Sequence, residues 1–158
     1  MACVLNNTVL SNFAKVSRTD LLGRVLGRFY ITEEVLSEYR KGIERRGLPE
    51  LKTKFEVIRL SEEERRFAET LMRKLGKGEA SSIAVAKFRT LKFFSDDIDA
   101  RREAMKLGLE VHGTITVLVL CVKKGVLSLE EANALLNKMI ECGYYSPIRD
   151  LRNVLEAE

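Results

Sequence analysis

The stretch Ala2-Cys3-Val4-Leu5-Asn6-Asn7-Thr8 passes directly from a short apolar run to a polar cluster. An apolar run without alternation suits a strand buried on both faces, as in a parallel sheet covered by helices. A polar cluster that closes such a run suits the first turn of a helix. The stretch therefore predicts a strand-to-helix unit with Asn6 at the junction.

The same unit recurs along the chain. Ser17 and Asp20 open a short segment from Leu21 to Leu26, and Phe29-Tyr30-Ile31 reads as a strand ending at Thr32, a residue suited to cap a helix over Glu33 to Arg45. After Gly47-Leu48-Pro49, Phe55 to Leu60 is strand-like, and Ser61 with Glu64 has capping-box spacing before a helix predicted to reach Leu75. Gly76-Lys77-Gly78 breaks the pattern before helical spacing resumes at Ala80, Ile83, Ala84, Lys87 and Phe88 up to Leu91. Lys92-Phe93-Phe94-Ser95 predicts a strand, Asp96 to Gly108 a helix, Leu109 to His112 a short strand, and Thr114 to Lys124 an apolar helix ended by Gly125. Ser128 with Glu131 caps a helix to Cys142, and Pro147 is read as starting a last helix through Val154.

Strands alternating with helices at these spacings imply parallel strands joined by right-handed crossovers. The expected fold is α/β, a three-layer α/β/α domain around a central parallel sheet. It is read as a single domain over residues 1–158, with the helices from about residue 128 as an appended part. In such sheets ligands bind beyond the carboxyl ends of the strands, so the residues after Leu5, Ile31 and Ser95 are where chemistry is sought.

Composition narrows the partners only slightly. A formal charge of +4 is a mild excess that favours a phosphate-bearing partner, and the 27 basic and 23 acidic residues are interspersed, with no basic arm. Cys3, Cys121 and Cys142 are odd in number and lack metal-ligand spacing, which fits a reducing compartment. The most apolar run, Ile115 to Val122, is too short to span a bilayer. A cytoplasmic protein with no membrane partner is expected. The same tract, with Leu135, Leu136 and Met139, suits a core or a dimer face, core being the simpler assignment.

The acidic residues carry the chemistry. Asp96 and Asp97 directly follow a strand, where Asp96 could simply cap the next helix and Asp97 favour its dipole. Glu79 lies in a first helical turn and Glu38 in mid-helix, each with an ordinary surface explanation. His112, the only histidine, has no partner spacing for zinc and reads as structural. Among cations, Arg101 is best placed for a phosphate, one turn past Asp97, while Arg18, Arg24, Arg28, Arg102, Lys123 and Lys124 read as solvated surface.

Taken in order, Val4-Leu5-Asn6-Asn7-Thr8-Val9-Leu10, Ile31-Thr32-Glu33-Glu34-Val35-Leu36-Ser37-Glu38, Gly78-Glu79-Ala80 and Ser95-Asp96-Asp97 resemble the PIN-domain family. The likeness runs on through Ala100-Arg101, Leu107-Gly108-Leu109 and Gly113-Thr114 to Lys124-Gly125, and is nearest to the prokaryotic subgroup with Gly-Glu-Ala and Gly-Thr motifs, which includes VapC-like toxins. The resemblance implies a Mg²⁺- or Mn²⁺-dependent ribonuclease, and with it RNA as substrate, a small antitoxin protein as partner, and a homodimer. It assigns catalysis to Glu38, Glu79 and Asp96, metal binding to Asn6, Glu38, Glu79, Asp96 and Asp97, and substrate contacts to Thr8 and Arg101. Clustered carboxylates suit a hard divalent cation, which polarises a phosphate and activates water. The family, however, has an aspartate where this chain has Asn6, and a neutral amide brings an oxygen without charge. Two readings follow: an enzyme that tolerates asparagine, or a catalytically degenerate domain that binds RNA or protein.

Overall fold

The computed structural model describes residues 2–156. Met1, Ala157 and Glu158, which complete the single-domain span expected from sequence, lie outside the described residues. Five strands run parallel in the order β3-β2-β1-β4-β5: β1 Cys3–Leu5, β2 Phe29–Thr32, β3 Phe55–Ile58, β4 Lys92–Phe94 and β5 Val111–His112. The helices between and after them are α1 Asn7–Lys15, α2 Asp20–Leu26, α3 Glu33–Arg46, α4 Glu62–Leu71, α5 Lys77–Arg89, α6 Ile98–Lys106, α7 Thr114–Lys123, α8 Leu129–Glu141 and α9 Arg152–Glu156. The expected α/β/α layering around a parallel sheet is present.

The period-two geometry of a strand divides the first run between the two layers. Cys3 and Leu5 pack with Phe13, Leu22, Val35, Leu118 and Leu136 on one face of the sheet. Val4 points the other way, with Phe93, Ile83 and Ala84. All three β1 side chains are fully buried, which is why the run has no polar alternation.

Helix α5 is buried along most of its length, and its small residues let it lie close against its neighbours. Ser81 and Ser82 avoid a desolvation cost by donating to the Gly78 carbonyl at 2.8 Å each, and Ser81 also bonds Thr32 Oγ1 at 2.8 Å. This fixes the amino end of α5, and so Glu79, beside the carboxyl end of β2. The apolar tract from Ile115 to Val122 forms most of α7, and its Val117, Leu118, Val119 and Cys121 are core.

Several predicted boundaries move: β3 ends at Ile58 rather than Leu60, β4 at Phe94 rather than Ser95, β5 begins at Val111 rather than Leu109, and three helix ends shift. Helix α4 stops at Leu71 rather than Leu75, because residues 72–75 turn so that Leu75 reaches the second core. Helix α6 begins at Ile98, with Asp97 rather than Asp96 as its cap. The last helix starts at Arg152 rather than Pro147. Ser146 Oγ bonds both the amide and the carbonyl of Ile148, Asn133 Oδ1 accepts from the Leu151 amide, and Asp150 Oδ1 accepts from the Arg152 amide, so the helix opens only after Asp150.

Candidate binding cleft at the topological switch

The chain leaves β1 toward β2 and β3 on one side, then returns to place β4 on the other. The sheet order therefore reverses between β1 and β4, where Leu5 pairs with Phe94. A crevice opens beyond such a reversal because the flanking connections diverge. Here it is a cleft of about 500 Å³, bordered by Asn6, Asn7, Thr8 and Ser11 from α1 and its cap, Glu38 and Arg46 from α3, Glu79 from α5, and Asp96, Asp97 and Asp99 after β4.

Asn6 forms the junction between the two central strands. It is 1% exposed, caps α1 by accepting from the Asn7 amide at 2.7 Å, and donates from Nδ2 to Ser95 Oγ at 2.9 Å. Ser95 in turn accepts from the Asp97 amide at 3.1 Å. The donated amide proton is what a carboxylate at this position lacks.

Asp96 faces inward. Its Oδ1 accepts from the Thr114 amide at 2.8 Å, and its Oδ2 accepts from Asn12 Nδ2 at 2.8 Å and from the Thr114 hydroxyl. Its own amide donates to Thr8 Oγ1 at 2.9 Å. Burial pushes the Asp96 carboxyl above its ordinary value, opposed by the bonds from Thr114 and Asn12 and by the Arg101 charge. Gly113 leaves room for this arrangement, since a Cβ there would lie 2.4 Å from Asp96 Oδ1. The Gly113-Thr114 motif thus orients a carboxylate.

Asp97 caps α6 by accepting from the Ala100 amide at 2.8 Å. Glu79 lies beside it: burial, then the charge and hydrogen bond of Asp97, raise the Glu79 carboxyl to about 7. Glu38 is raised chiefly by burial and is held against the amino end of α5, where a Cβ on Gly78 would collide with its carboxylate. Arg101 donates from Nη1 to the Ser95 carbonyl at 2.8 Å.

These placements overturn the expectation of a Mg²⁺- or Mn²⁺-dependent ribonuclease. Among the described residues there is no group of three or more His, Cys, Asp and Glu side chains that could hold a metal ion. The reasons are local. Asn6 is neutral with its amide engaged, Asp96 is saturated by Thr114 and Asn12, and Asp97 is turned to its helix cap. Glu38, Glu79, Asp96 and Asp97 line one cleft without making such a group, and the nuclease activity and the Mg²⁺ or Mn²⁺ cofactor implied by the resemblance fall with it.

Other cations proposed as surface are tied down elsewhere: Arg18 and Arg24 to Asp20, Arg28 to Glu56, Arg102 near Asp99, and Lys124 to the Val25 carbonyl. His112 bonds Glu110 and Thr116 and lies against the Phe94 ring, a structural role. The three cysteines are free thiols, with Cys3 and Cys121 buried. No helix among the described residues is long and apolar enough to cross a membrane.

Sequence reading missed several residues of the cleft, among them Asn12, Ser11, Lys15, Arg46 and Tyr144. Asn12 lies one turn beyond Thr8, and Ser11 and Lys15 continue from Asn7 at the same i to i+4 spacing, a polar helix face legible in principle from α1 alone. Arg46 and Tyr144 arrive from the ends of distant elements and left no local signal. Within the α1 face, Asn7 Oδ1 and Ser11 Oγ are buried and have no hydrogen-bond partner.

Residues 2–157 match the protein family described as PIN domain. No curated protein sequence matches the chain significantly. Among solved structures, the fold is similar to that of a PilT N-terminus domain protein from the hyperthermophilic archaeon Sulfolobus solfataricus P2, with a TM-score of 0.53, 19% identity, and coverage of 74% of this chain and 90% of that one. At that identity the likeness concerns the fold.

Proposed function

The chain belongs to the PIN-domain family, and from that premise we propose that it is a catalytically degenerate member whose cleft binds RNA without hydrolysing it. The observation that carries this reading is the α1 face. Asn7 Oδ1 and Ser11 Oγ are buried with no partner, in a cleft they line with Lys15. A buried polar atom left unbonded costs about 1–3 kcal/mol, so such atoms side by side favour a polar ligand that bonds them.

Charge does not oppose a phosphate there. Burial and then the neighbouring Asp97 raise the Glu79 carboxyl to about 7, Asp96 lies beside Arg101, and Asp99 is 3.9 Å from Arg102. Lys15 and Arg46 line the cleft with Glu38 and the Glu79–Asp97 pair, and among the described residues neither cation has an ion pair. Phosphate contacts of this kind supply affinity without sequence preference. Thr8, with its hydroxyl proton free while its oxygen accepts from Asp96, adds a further donor toward the backbone.

A short single-stranded RNA titrated against the protein by fluorescence anisotropy tests this. Binding that persists in excess EDTA, leaves the RNA uncut and weakens on Lys15→Ala or Ser11→Ala is expected. Absence of binding, or binding that vanishes with the chelator, would refute it.

A second reading has its own observation. Glu38 lines the same cleft, half-buried against the amino end of α5, which suits a cationic side chain offered by a small antitoxin-like protein. The homodimer implied by the family resemblance belongs to this reading too, and so does a cytoplasmic location. Co-purification with a basic partner whose binding excludes RNA would favour it over the first.

A further inference from the structure

We propose that a second pocket, beside the cleft and behind Tyr144 and Tyr145, is a nucleobase pocket that prefers guanine. It measures about 450 Å³ and shares Asp96, Ile98, Tyr144 and Tyr145 with the cleft, so one ligand can occupy both. The inference rests on the RNA reading above and names what the RNA would present.

The chemistry of the pocket is that of a flat, partly apolar ligand with acceptors along one edge. Ile115, Pro147 and Ile148 give it apolar walls. Tyr145 stands at the mouth 90% exposed, and Ile98 beside it 60% exposed. An aromatic side chain left so open at a cleft that holds polar backbone-binding groups is a stacking surface, because every base offers a π-face. An apolar carboxylate would use the walls but not the ring.

Arg101 selects the base. It is half-buried, lines the pocket, and uses Nη1 on the Ser95 carbonyl; among the described residues its other guanidinium donors make no hydrogen bond. Asp96 beside it fixes the fork electrostatically while its own oxygens are already bonded to Thr114 and Asn12. A guanidinium edge presented in this way pairs with adjacent acceptors, and guanine O6 and N7 are the base edge that offers two of them. Adenine places a donor beside its N7 and cytosine presents a donor, so both meet Arg101 less well.

The full-length chain titrated with GMP, AMP, CMP and UMP by calorimetry tests the pocket. GMP is expected to bind about tenfold more tightly than the other three, and Tyr145→Ala to weaken GMP by about tenfold, a typical loss for one stacked base. Tyr145 is exposed enough that this variant keeps its melting temperature. Arg101→Lys, which keeps the charge and loses the fork, is expected to bring GMP and AMP together. Equal binding of the four nucleotides, no binding of any, or GMP binding unchanged in Tyr145→Ala overturns the proposal. An oligouridylate that binds through Lys15 while GMP does not bind leaves the RNA reading standing and removes the pocket. GMP binding that depends on Tyr145, with no RNA bound by the cleft, does the reverse.

Discussion

Asn6 Nδ2 donates to Ser95 Oγ across 2.9 Å, joining the carboxyl ends of β1 and β4 where the sheet order reverses. The bond is buried and links residues far apart in sequence. It turns the position where the family has a carboxylate into a structural clasp.

Asn6→Asp is therefore expected to destabilise the protein by about 1–3 kcal/mol at pH 7, since a nearly inaccessible carboxylate replaces an amide and leaves Ser95 without its donor. The loss should shrink on acidification, as the new carboxyl gains a proton and can donate again. Chemical denaturation at pH 5 and pH 7 measures both. A variant as stable as the parent at pH 7 would show that the clasp contributes nothing.

Gly113→Ala is expected to cost about 2 kcal/mol or more, by forcing a Cβ to within 2.4 Å of Asp96 Oδ1 and 3.1 Å of the Ser95 carbonyl oxygen. The backbone there is extended, with φ at −148°, so the cost is contact and not conformation. Asp96→Asn in the same background should restore little, because the amide occupies the same space. Thermal unfolding of the two variants checks this.

Glu79 sets a pH dependence of stability. Its carboxyl is raised from 4.5 to about 7 in the folded chain, so folding takes up a proton. The resulting stability is fully present below the unfolded value near 4.5 and is lost as pH rises through about 7. Allowing for the partial exposure of Glu79, the loss is about 1–2 kcal/mol. Glu79→Gln should flatten the stability profile across that window, read by urea titration at steps of pH.

Away from the residues lining the cleft, Glu64 is 2% exposed and takes a two-pronged bond from Arg89 at 2.8 and 2.9 Å while also capping α4. Arg89 holds its carboxyl below the ordinary value, so this stability is present above the unfolded value and is lost as pH falls through the folded one. Glu64→Gln is expected to cost about 2 kcal/mol, less than for a fully buried pair because Arg89 reaches solvent. A melting curve at neutral pH that matches the parent would contradict it.

The chain's own pattern determined the layers. The unbroken apolar run at Cys3-Val4-Leu5, the capping boxes at Ser61 and Ser128, and the glycines after the helices are local signals, because helix ends and doubly buried strands satisfy their hydrogen bonds and hydration with neighbours in sequence. That reach also explains why Asn6, Glu38, Glu79, Asp96 and Asp97 could be brought to one sheet edge from their positions in predicted elements. It did not extend to what each side chain does there. Whether Asp96 faces a cation or Thr114, and whether the Asn6 amide is free, depended on bonds between separate elements, 18 positions apart for Asp96 and Thr114, 84 for Asn12 and Asp96, and 89 for Asn6 and Ser95. Only the tertiary structure decided those, because a carboxylate's role is set by which donors the packing of separate elements places around it, and no local pattern encodes that choice.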